Sequence, residues 1–252
     1  MRISVIIPVL NEKEDLPQTL LALMEFPDLY EIVVVDGGSS DGTRESLSNN
    51  LPTRVRVIDG QRGRGNQLNA GARVATGDVL LFLHADTRLP ADALQQMSTV
   101  LANPKVVGGG FCMRFLEDEP WILRVVEAGI NLRTRVFRSP TGDQAIFARQ
   151  GAFAAAAGFA DWPLFEDVDF VHRIKRLGGF VIITSRVMTS ARRYFAWGVL
   201  RTVLLMYTLR VGFWMGVSTF HLHRWFSDVR PQPLGEGRHE TSQRDKQEST
   251  LG

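Results

Sequence analysis

The stretch DVLLFLHADTRLP, residues 78–90, joins a run of apolar side chains directly to a histidine and a carboxylate. Residues 79–83 are all apolar, which is typical of a strand buried on both faces of a sheet, and His84 and Asp86 follow at once. Residues i and i+2 of a strand face the same side. The stretch therefore predicts a buried strand whose carboxyl end presents His84 and Asp86 together.

Three further apolar runs precede this strand, and each has the character of a strand itself. The runs are ISVIIPVL (3–10), EIVVVD (31–36) and RVRVID (54–59). Segments with helical spacing of apolar residues, or with helix-capping residues, separate the runs. This alternation predicts an α/β domain with a mostly parallel central sheet flanked by helices. In such sheets, ligands bind at the carboxyl ends of the strands.

The second half of the chain is less regular but continues to alternate. We predict strands in KVVGGGFCMRF (105–115) and FVIIT (180–184), helices in PWILRVVEAGINLRTRVF (120–137) and FEDVDFVHRIKRLGG (165–179), and a strand followed by a helix in GDQAIFARQGAFAAAAGF (142–159). We find no internal repeat.

Composition and charge argue against a nucleic-acid-binding protein and against a protein held together by disulfides. The 252 residues are 44% apolar and 22% charged, as in an ordinary globular chain, and the net charge of +2 gives no indication of a nucleic-acid partner. A lone cysteine, Cys112, excludes an internal disulfide and fits a reducing compartment, so we expect a cytoplasmic protein. The first residues are interpreted as a strand and not as a signal peptide, because no small-residue cleavage site follows them.

The C-terminal part differs from the rest in composition. Residues 194–226 contain no acid, are rich in Trp, Phe, Leu and Val, and carry Arg201, Arg210 and Arg224. No uncharged run reaches the roughly 18 to 20 residues of a membrane span. The segment is either a pair of helices packed on the domain or a basic, aromatic surface in peripheral contact with an anionic membrane at its cytoplasmic face. We expect an α/β domain over 1–192, this apolar and basic helical segment over 193–228, and a disordered tail over 229–252.

Polar residues follow the first four strands, where they would converge on one crevice. They are Pro8, Asn11 and Glu12 after the first strand, Asp36 after the second, Arg62, Arg64 and Asn69 in the glycine-rich stretch GQRGRGNQLNAG after the third, and His84 and Asp86 after the fourth. Asp36 is either a ribose or base contact or a turn residue of DGGSSDG. The arginines either hold phosphates or the base of a nucleotide, or are solvated. A dehydrogenase is disfavoured because the turn after the first strand lacks G-x-G-x-x-G.

Two acidic groups suggest catalysis. The Asp86 carboxylate can bind Mg²⁺ or Mn²⁺, which would bridge to a diphosphate, and His84 either ligates the same ion or supports Asp86. FEDVDF places Glu166, Asp167 and Asp169 at a helix start. Clustered carboxylates raise one pKa, as a general base requires, although acids also favour a helix N-terminus for electrostatic reasons.

Four motifs, in order, resemble those of the family 2 glycosyltransferases, which have the GT-A type fold. They are SVIIPVLNE, IVVVDGGSSDGT, ATGDVLLFLHADT and FEDVDFVHRIKRLG, and the resemblance covers roughly residues 3 to 190. HADT and TSARRY resemble a bacterial subgroup of small stand-alone transferases, some of them associated with arsenosugar biosynthesis. Domain 1–192 would then be a GT-A type glycosyltransferase domain.

The resemblance implies transfer of a sugar from a nucleoside diphosphate donor, usually a UDP-sugar, to a hydroxyl acceptor with inversion, assisted by Mg²⁺ or Mn²⁺. It assigns the nucleotide pocket to Pro8, Glu12 and Asp36, and the metal to Asp86, with His84 replacing the first acid of the D-x-D motif. It makes Asp167 the catalytic base. It gives Glu166 the role of orienting either that base or the acceptor. Asp143 and Gln144 would lie on the acceptor side, and Arg192 and Arg193 near the diphosphate.

Three other functions are alternatives to sugar transfer to a hydroxyl group. A nucleotidyltransferase would need a glycine-rich loop with a lysine directly after the first strand, and PVLNEKED lacks the glycines. A membrane-associated transferase with a polyprenyl phosphate acceptor would use similar chemistry, with residues 194–226 as the discriminating segment. A non-catalytic binding module is disfavoured because Asp86, Glu166 and Asp167 are all present.

Overall fold

The computed structural model describes residues 1–47, 51–116 and 120–229 of the chain. The strands are β1 (Ile3–Val9), β2 (Glu31–Asp36), β3 (Val55–Asp59), β4 (Val79–Phe82), β5 (Thr87–Arg88), β6 (Val106–Phe115), β7 (Ile146–Arg149) and β8 (Gly179–Thr189). The helices are α1 (Asp15–Met24), α2 (Thr43–Ser46), α3 (Arg64–Val74), α4 (Ala93–Leu101), α5 (Trp121–Phe137), α6 (Gln150–Ala155), α7 (Glu166–Ile174), α8 (Arg192–Trp197), α9 (Val199–Trp214) and α10 (Thr219–Val229). A 3₁₀ turn spans Gly142–Gln144.

The first four strands form the parallel half of one eight-stranded sheet, whose order is β3-β2-β1-β4-β7-β6-β8-β5. Their apolar runs are continuous because both faces of the sheet are covered. Alternate residues of β1 enter different cores: Val5 and Ile7 join one cluster of buried side chains, and Ile6 joins the other. The prediction of a mostly parallel α/β sheet flanked by helices is confirmed.

Helices cover the two faces in two groups. Leu16 of α1, Met97 of α4 and Leu123 of α5 belong to the first core cluster. The second cluster takes side chains from α3, α6 and α7, among them Phe153 and Phe170. The loops at the carboxyl ends of the parallel strands are thus held from both sides.

The second half of the sheet departs from the sequence expectation in three places. β7 runs antiparallel to both of its neighbours, β4 and β6. β8 was expected to end at residue 184, but it continues to Thr189 because its last residues pair with the end of β6 and with β5. The two-residue β5 was not predicted at all. Its pairing brings Thr87, next to Asp86, against Thr189.

The C-terminal segment forms three helices rather than a pair. Gly198 and Gly216, with φ of 82° and 83°, separate α8 from α9 and α9 from α10. Leu205, Leu209 and Leu222 form a small buried cluster between α9 and α10. Within the described part of the chain, no helix is long and apolar enough to cross a membrane. The tail expected over 229–252 lies outside the described residues, except for Val229 at the end of α10.

Candidate functional site

The loops that follow β1 and β2 are bonded to each other at the carboxyl edge of the sheet. The Asn11 N–H donates to Ser39 Oγ (3.0 Å), and the Asn11 amide oxygen accepts from the Ser40 N–H (2.9 Å). Asn11 has a φ of 58°, a left-handed conformation that Asn tolerates better than most residues. The two loops therefore form one preorganised wall.

Asp36 ends β2 and is buried beneath this wall. Its Oδ1 accepts two hydrogen bonds from Ser39, from the N–H at 3.0 Å and the hydroxyl at 2.7 Å. Turn chemistry therefore accounts for this oxygen, while a contact to a base or ribose stays a prediction. Pro8, half-buried in β1, pairs with Val35 immediately beside it.

Arg192, at the start of α8, draws together carboxylates from the first and fourth strand ends. Its Nη2 lies 2.9 Å from Glu12 Oε2 and 3.5 Å from Asp86 Oδ2, and its Nη1 bonds Asp15. Burial raises the pKa of Glu12, and the Arg192 charge opposes that rise. Burial alone would lower the pKa of Arg192, but the Glu12 carboxylate outweighs it and the pKa is raised. The Arg193 side chain lies outside the described part of the chain.

The residues around Asp86 fit a divalent cation only in combination with a ligand. In residues 1–47, 51–116 and 120–229, no group of three or more His, Cys, Asp or Glu side chains is arranged to hold a metal ion. Mg²⁺, however, is commonly held by one or two carboxylates together with substrate phosphates. The partly buried Asp86 carboxylate has the right chemistry for such a shared site.

His84 and Asp86 reach the site differently from the sequence expectation. β4 ends at Phe82, and residues 84–87 form a turn closed by the Thr87 N–H and the His84 carbonyl (3.2 Å). Strand alternation therefore does not orient the two side chains. Asp86 approaches Arg192, whereas His84 approaches Gly142, where a Cβ would lie 2.6 Å from His84 Nε2.

Glu166 and Asp167 open α7 and are both buried. Asp167 accepts hydrogen bonds from the Gly142 N–H at Oδ2 and the Val168 N–H at Oδ1, each 2.7 Å long. Burial and, next, the negative charge of Glu166 raise the pKa of Asp167 to about 6, against the opposing effect of Arg64. The sequence expectation that clustered acids raise one pKa agrees with this direction.

Arg64, at the start of α3, connects the acidic groups of the crevice. Its Nη1 lies 3.2 Å from Glu166 Oε1. The Glu166 charge raises the pKa of Arg64, and the charges of Asp167, Asp143 and Asp86 act in the same direction. Arg64, His84, Gly142, Glu166 and Asp167 also line one small cavity of about 10 Å³. The turn after β4 and the acids of α7 therefore share one crevice, although their sequence positions are far apart.

Two other predicted site residues, Asn69 and Gln144, form hydrogen bonds to other segments of the chain. Asn69 bonds the backbone of Phe159 at 2.8 and 2.9 Å, and so holds the loop that leads to α7. Gln144 is fully buried; its amide donates to the Phe111 carbonyl (3.0 Å) and accepts from Thr134 (2.9 Å). A role for Gln144 toward the acceptor stays a prediction. Because the Gln144 side chain is buried, it would influence the acceptor by holding its loop in place and not by direct contact.

Two further predicted residues, Asp143 and Arg62, form fewer hydrogen bonds than Asn69 and Gln144 among the described residues. Asp143 is half-buried, and its carboxylate accepts a hydrogen bond from the Thr141 hydroxyl (2.6 Å). Arg62 is exposed on the approach to α3. Both remain predictions for the acceptor and the donor, respectively.

Sequence reasoning missed two residues of the crevice. Gln67 of α3 is buried and donates to the carbonyls of Val9 (2.7 Å) and Val35 (2.9 Å), so it joins the ends of β1 and β2. Arg133 of α5 donates to Gln144 Oε1 (3.3 Å); burial lowers the pKa of Arg133, and the charges of Asp143 and Asp167 oppose that change. No motif in the sequence singles out either residue.

Comparison with known proteins identifies the family. The family model described as glycosyl transferase family 2 matches residues 4–128. A glycosyltransferase of Nostoc sp., alr2836, itself uncharacterized, is 34% identical over 113 residues, 43% of this chain and 35% of that protein. The undecaprenyl-phosphate 4-deoxy-4-formamido-L-arabinose transferase of Proteus mirabilis is 29% identical over 140 residues, 52% of this chain and 42% of that protein. The chain thus spans less than half the length of these two relatives.

Solved structures share the fold. The mannosyltransferase PcManGT from Pyrobaculum calidifontis, in complex with GDP-Man and Mn²⁺, superposes with a TM-score of 0.60 at 25% identity, over 78% of this chain and 59% of that chain. S. aureus TarS 1–349 in complex with UDP superposes with a TM-score of 0.61 at 18% identity, over 76% and 61%. The chain belongs to glycosyltransferase family 2 and has the GT-A type fold.

Proposed function

We propose that this chain transfers a sugar from a nucleoside diphosphate sugar to an acceptor hydroxyl, with inversion at the anomeric carbon. The observation that carries the proposal is the cavity at the carboxyl edge of the sheet, where His84, from the turn that carries Asp86, lies with Arg64 and Asp167. Ligands of doubly wound sheets bind at this edge. In the proposed reaction, Asp86 serves the side of the leaving group and Asp167 the side of the acceptor.

The wall formed by the β1 and β2 loops is the proposed nucleotide pocket. Pro8, Glu12 and Asp36 would line it, and the Asn11–Ser39 hydrogen bond would hold its shape. The complexes of PcManGT with GDP-Man and of TarS with UDP support a nucleoside diphosphate donor. A UDP-sugar is the proposed donor, and thermal-shift comparison with GDP tests the choice of base.

The diphosphate would lie between Asp86 and Arg192. When bound, Mg²⁺ or Mn²⁺ would neutralise charge on the departing diphosphate, and Asp86 would hold the ion. The Arg192 guanidinium provides a second positive charge at the same edge, at present paired with Glu12 and Asp86. Arginine suits phosphate recognition because its planar group donates two parallel hydrogen bonds.

Asp167 is the proposed general base. With a pKa of about 6, its carboxylate is mostly ionised at neutral pH and still basic enough to take the proton of an acceptor hydroxyl. The N–H groups of Gly142 and Val168 fix the orientation of the carboxylate. Glu166, held by Arg64, contributes negative charge that sustains the basicity of Asp167.

A polyprenyl phosphate is the second candidate for the acceptor. α9 exposes Leu200, Leu204, Tyr207, Val211 and Trp214, which share one face at helical spacing. The relatives named undecaprenyl-phosphate transferases favour such an acceptor, and the enzyme would then sit peripherally on a membrane. A phosphate oxygen is already ionised at pH 7, so this reaction would not depend on Asp167 as a base.

We do not propose a nucleotidyltransferase, because the family model and the relatives are glycosyltransferases. The resemblance to the arsenosugar-associated subgroup stays a prediction, since nothing in the crevice specifies an arsenic compound.

A thermal-shift panel tests the proposed function. Purified protein would be heated with UDP, GDP and their sugars, with and without Mn²⁺, and the stabilising donor would then be tested for transfer by mass spectrometry of the product. A donor at a hundred times its dissociation constant stabilises the protein by about 2.7 kcal/mol. Asp86→Ala should abolish the metal-dependent part of the shift. The absence of any shift with every nucleoside diphosphate would contradict the proposal.

A further inference from the structure

A cavity of about 560 Å³ opens between α5 and the ends of β6 and β8. Four arginines line it: Arg114, Arg124, Arg135 and Arg186. None of them belongs to the crevice described above. Phe115, in its wall, pairs with Thr189 of β8, so the cavity adjoins the edge of the sheet that carries the candidate site.

Few groups among the described residues partner the four arginines of this cavity. The ion pairs formed by the described residues include none of the four arginines. Arg114 donates to Met188 Sδ (3.0 Å) and Arg135 to Cys112 Sγ (3.4 Å), which are weak acceptors. Glu127, the acid of the lining, accepts the backbone N–H of Phe115 (2.6 Å). The lining therefore carries four positive charges and one negative charge. This excess of positive charge favours an anion, and guanidinium groups favour phosphate in particular.

The helix that forms one wall of the cavity also carries an exposed apolar strip. Trp121, Val125, Leu132 and Val136 of α5 are exposed by 76%, 59%, 65% and 63% and lie on one face at helical spacing. Leu132 lines the cavity as well. At 100° per residue, Arg124 and Arg135 lie beside this strip on α5. Exposed aromatic and aliphatic side chains beside arginines are typical of a helix lying on an anionic membrane.

A second copy of the chain would fit this surface poorly. In a two-fold interface the same patch meets itself, so the positive charges of the two copies would be brought close together. An anionic bilayer is complementary in both respects, since its head groups carry phosphate and its interior is apolar.

We propose that the arginine-lined cavity binds the phosphate of an anionic membrane lipid, with the apolar strip of α5 inserted beside it. This inference does not rest on the proposed function, because it requires neither a nucleotide nor an acceptor. It adds α5 to residues 194–226, the segment for which the sequence left a membrane surface open as one of two alternatives.

Vesicle co-sedimentation tests the proposal with the full chain. Vesicles of phosphatidylglycerol are compared with vesicles of phosphatidylcholine, using the variant Arg124→Gln/Arg186→Gln. Neither side chain makes a hydrogen bond among those of the described residues, so their loss should leave the fold intact, as a thermal melt would verify. The matched control is Arg73→Gln/Arg176→Gln, which removes two exposed arginines elsewhere and changes the net charge equally.

We expect the wild type to bind phosphatidylglycerol and not phosphatidylcholine. Each arginine near an anionic surface contributes roughly 5-fold to the affinity, so the cavity variant should bind about 25-fold more weakly, and the control within about 3-fold of the wild type. Trp121→Gln/Leu132→Gln should also weaken binding. Equal binding by the cavity and control variants would overturn the proposal.

A second arm separates lipid phosphate from free phosphate. At constant ionic strength, sodium phosphate should compete with the vesicles only at concentrations far above those of the lipid. If free phosphate stabilises the wild type but not the cavity variant, while vesicles bind both equally, the lipid source is wrong. UDP binding by the cavity variant, measured in parallel, reports on the proposed function independently.

Discussion

The backbone N–H of Gly142 donates a hydrogen bond of 2.7 Å to Oδ2 of Asp167 and so joins the 3₁₀ turn before β7 to the first turn of α7. A hydrogen bond to the ionised form of a carboxylate lowers its pKa. Here burial and the nearby Glu166 charge act more strongly in the opposite direction, and the pKa of Asp167 is about 6. The carboxylate is therefore oriented by the protein without losing its basicity.

The first prediction concerns the pH dependence of turnover. If Asp167 is the base, kcat should rise with pH through about 6 and reach a plateau above 7, because only the ionised carboxylate accepts a proton. Asp167→Asn should lower kcat by roughly 10² to 10⁴-fold and leave UDP binding within about 2-fold. A kcat profile measured from pH 5 to 8.5 checks this. Wild-type turnover by Asp167→Asn would exclude Asp167 as the base and favour an already ionised acceptor.

The second prediction concerns stability. The folded-state pKa of Asp167 is raised above its unfolded value, so ionisation of Asp167 weakens the fold as pH rises from about 4 to about 6. Asp167→Asn removes that penalty. The free energy of unfolding of the variant, relative to that of the wild type, should therefore increase by about 1 to 3 kcal/mol between pH 4 and pH 7.5. Urea unfolding at the two pH values measures the difference, and a difference that is independent of pH would contradict the raised pKa.

The third prediction uses the space around Gly142. A Cβ there would lie 2.6 Å from His84 Nε2 and 3.5 Å from Asp167 Oδ2. Gly142→Ala should therefore displace His84, cost about 1 to 3 kcal/mol of stability and reduce turnover. Gly129→Ala is the matched control, because its Cβ meets nothing within 4 Å and α5 should gain up to about 1 kcal/mol. Restoration of stability by His84→Ala in the Gly142→Ala background would confirm that the contact is the cause.

The fourth prediction concerns the residue that precedes the acidic pair. Phe165 has a φ of 63°, a strained conformation for a bulky side chain, and its ring lies 4.8 Å from the Phe213 ring of α9. This contact helps to hold the start of α7. Phe213→Ala should lower the free energy of unfolding by about 2 to 3 kcal/mol and reduce kcat more than donor affinity. Trp214→Ala, next to it but 73% exposed, serves as the control. If both variants behave alike, the C-terminal helices do not support the site in this way.

The sequence predicted the sheet well because its signals are local. Continuous apolar runs identify strands covered on both faces, and acids placed directly after them mark the carboxyl edge. β5 was missed because two residues carry no periodic pattern, and its partner lies about a hundred positions away.

The side-chain contacts of the site could not be predicted in the same way. Arg192 bonds Glu12 from 180 positions away, a pairing that exists only after the sheet has formed. Asn69 was expected in the nucleotide pocket and Gln144 on the acceptor side, and the structure adds that both bond backbone groups of distant segments. Whether a polar side chain enters the crevice depends on how several elements pack together and not on its neighbours in sequence.

The last prediction concerns competition between Arg192 and a divalent cation. The Arg192 guanidinium lies 3.5 Å from Asp86 Oδ2 and 2.9 Å from Glu12 Oε2, so a cation bound to Asp86 would meet a like charge at close range. Arg192→Gln should bind Mn²⁺ about 5- to 10-fold more tightly in the absence of nucleotide. The same variant should bind UDP in the presence of Mn²⁺ more weakly, because a positive charge beside the diphosphate is lost.

Isothermal titration of Mn²⁺, and then of UDP, measures both affinities of Arg192→Gln. Arg56→Gln, an exposed arginine of β3, controls for the change in net charge. Opposite changes in the two affinities would show that Arg192 yields Asp86 to the ion and moves to the diphosphate when the donor binds. Weaker binding of both ligands would instead mean that Arg192 holds Glu12 and Asp86 in place, and parallel behaviour of the two variants would mean that Arg192 has no part in the site.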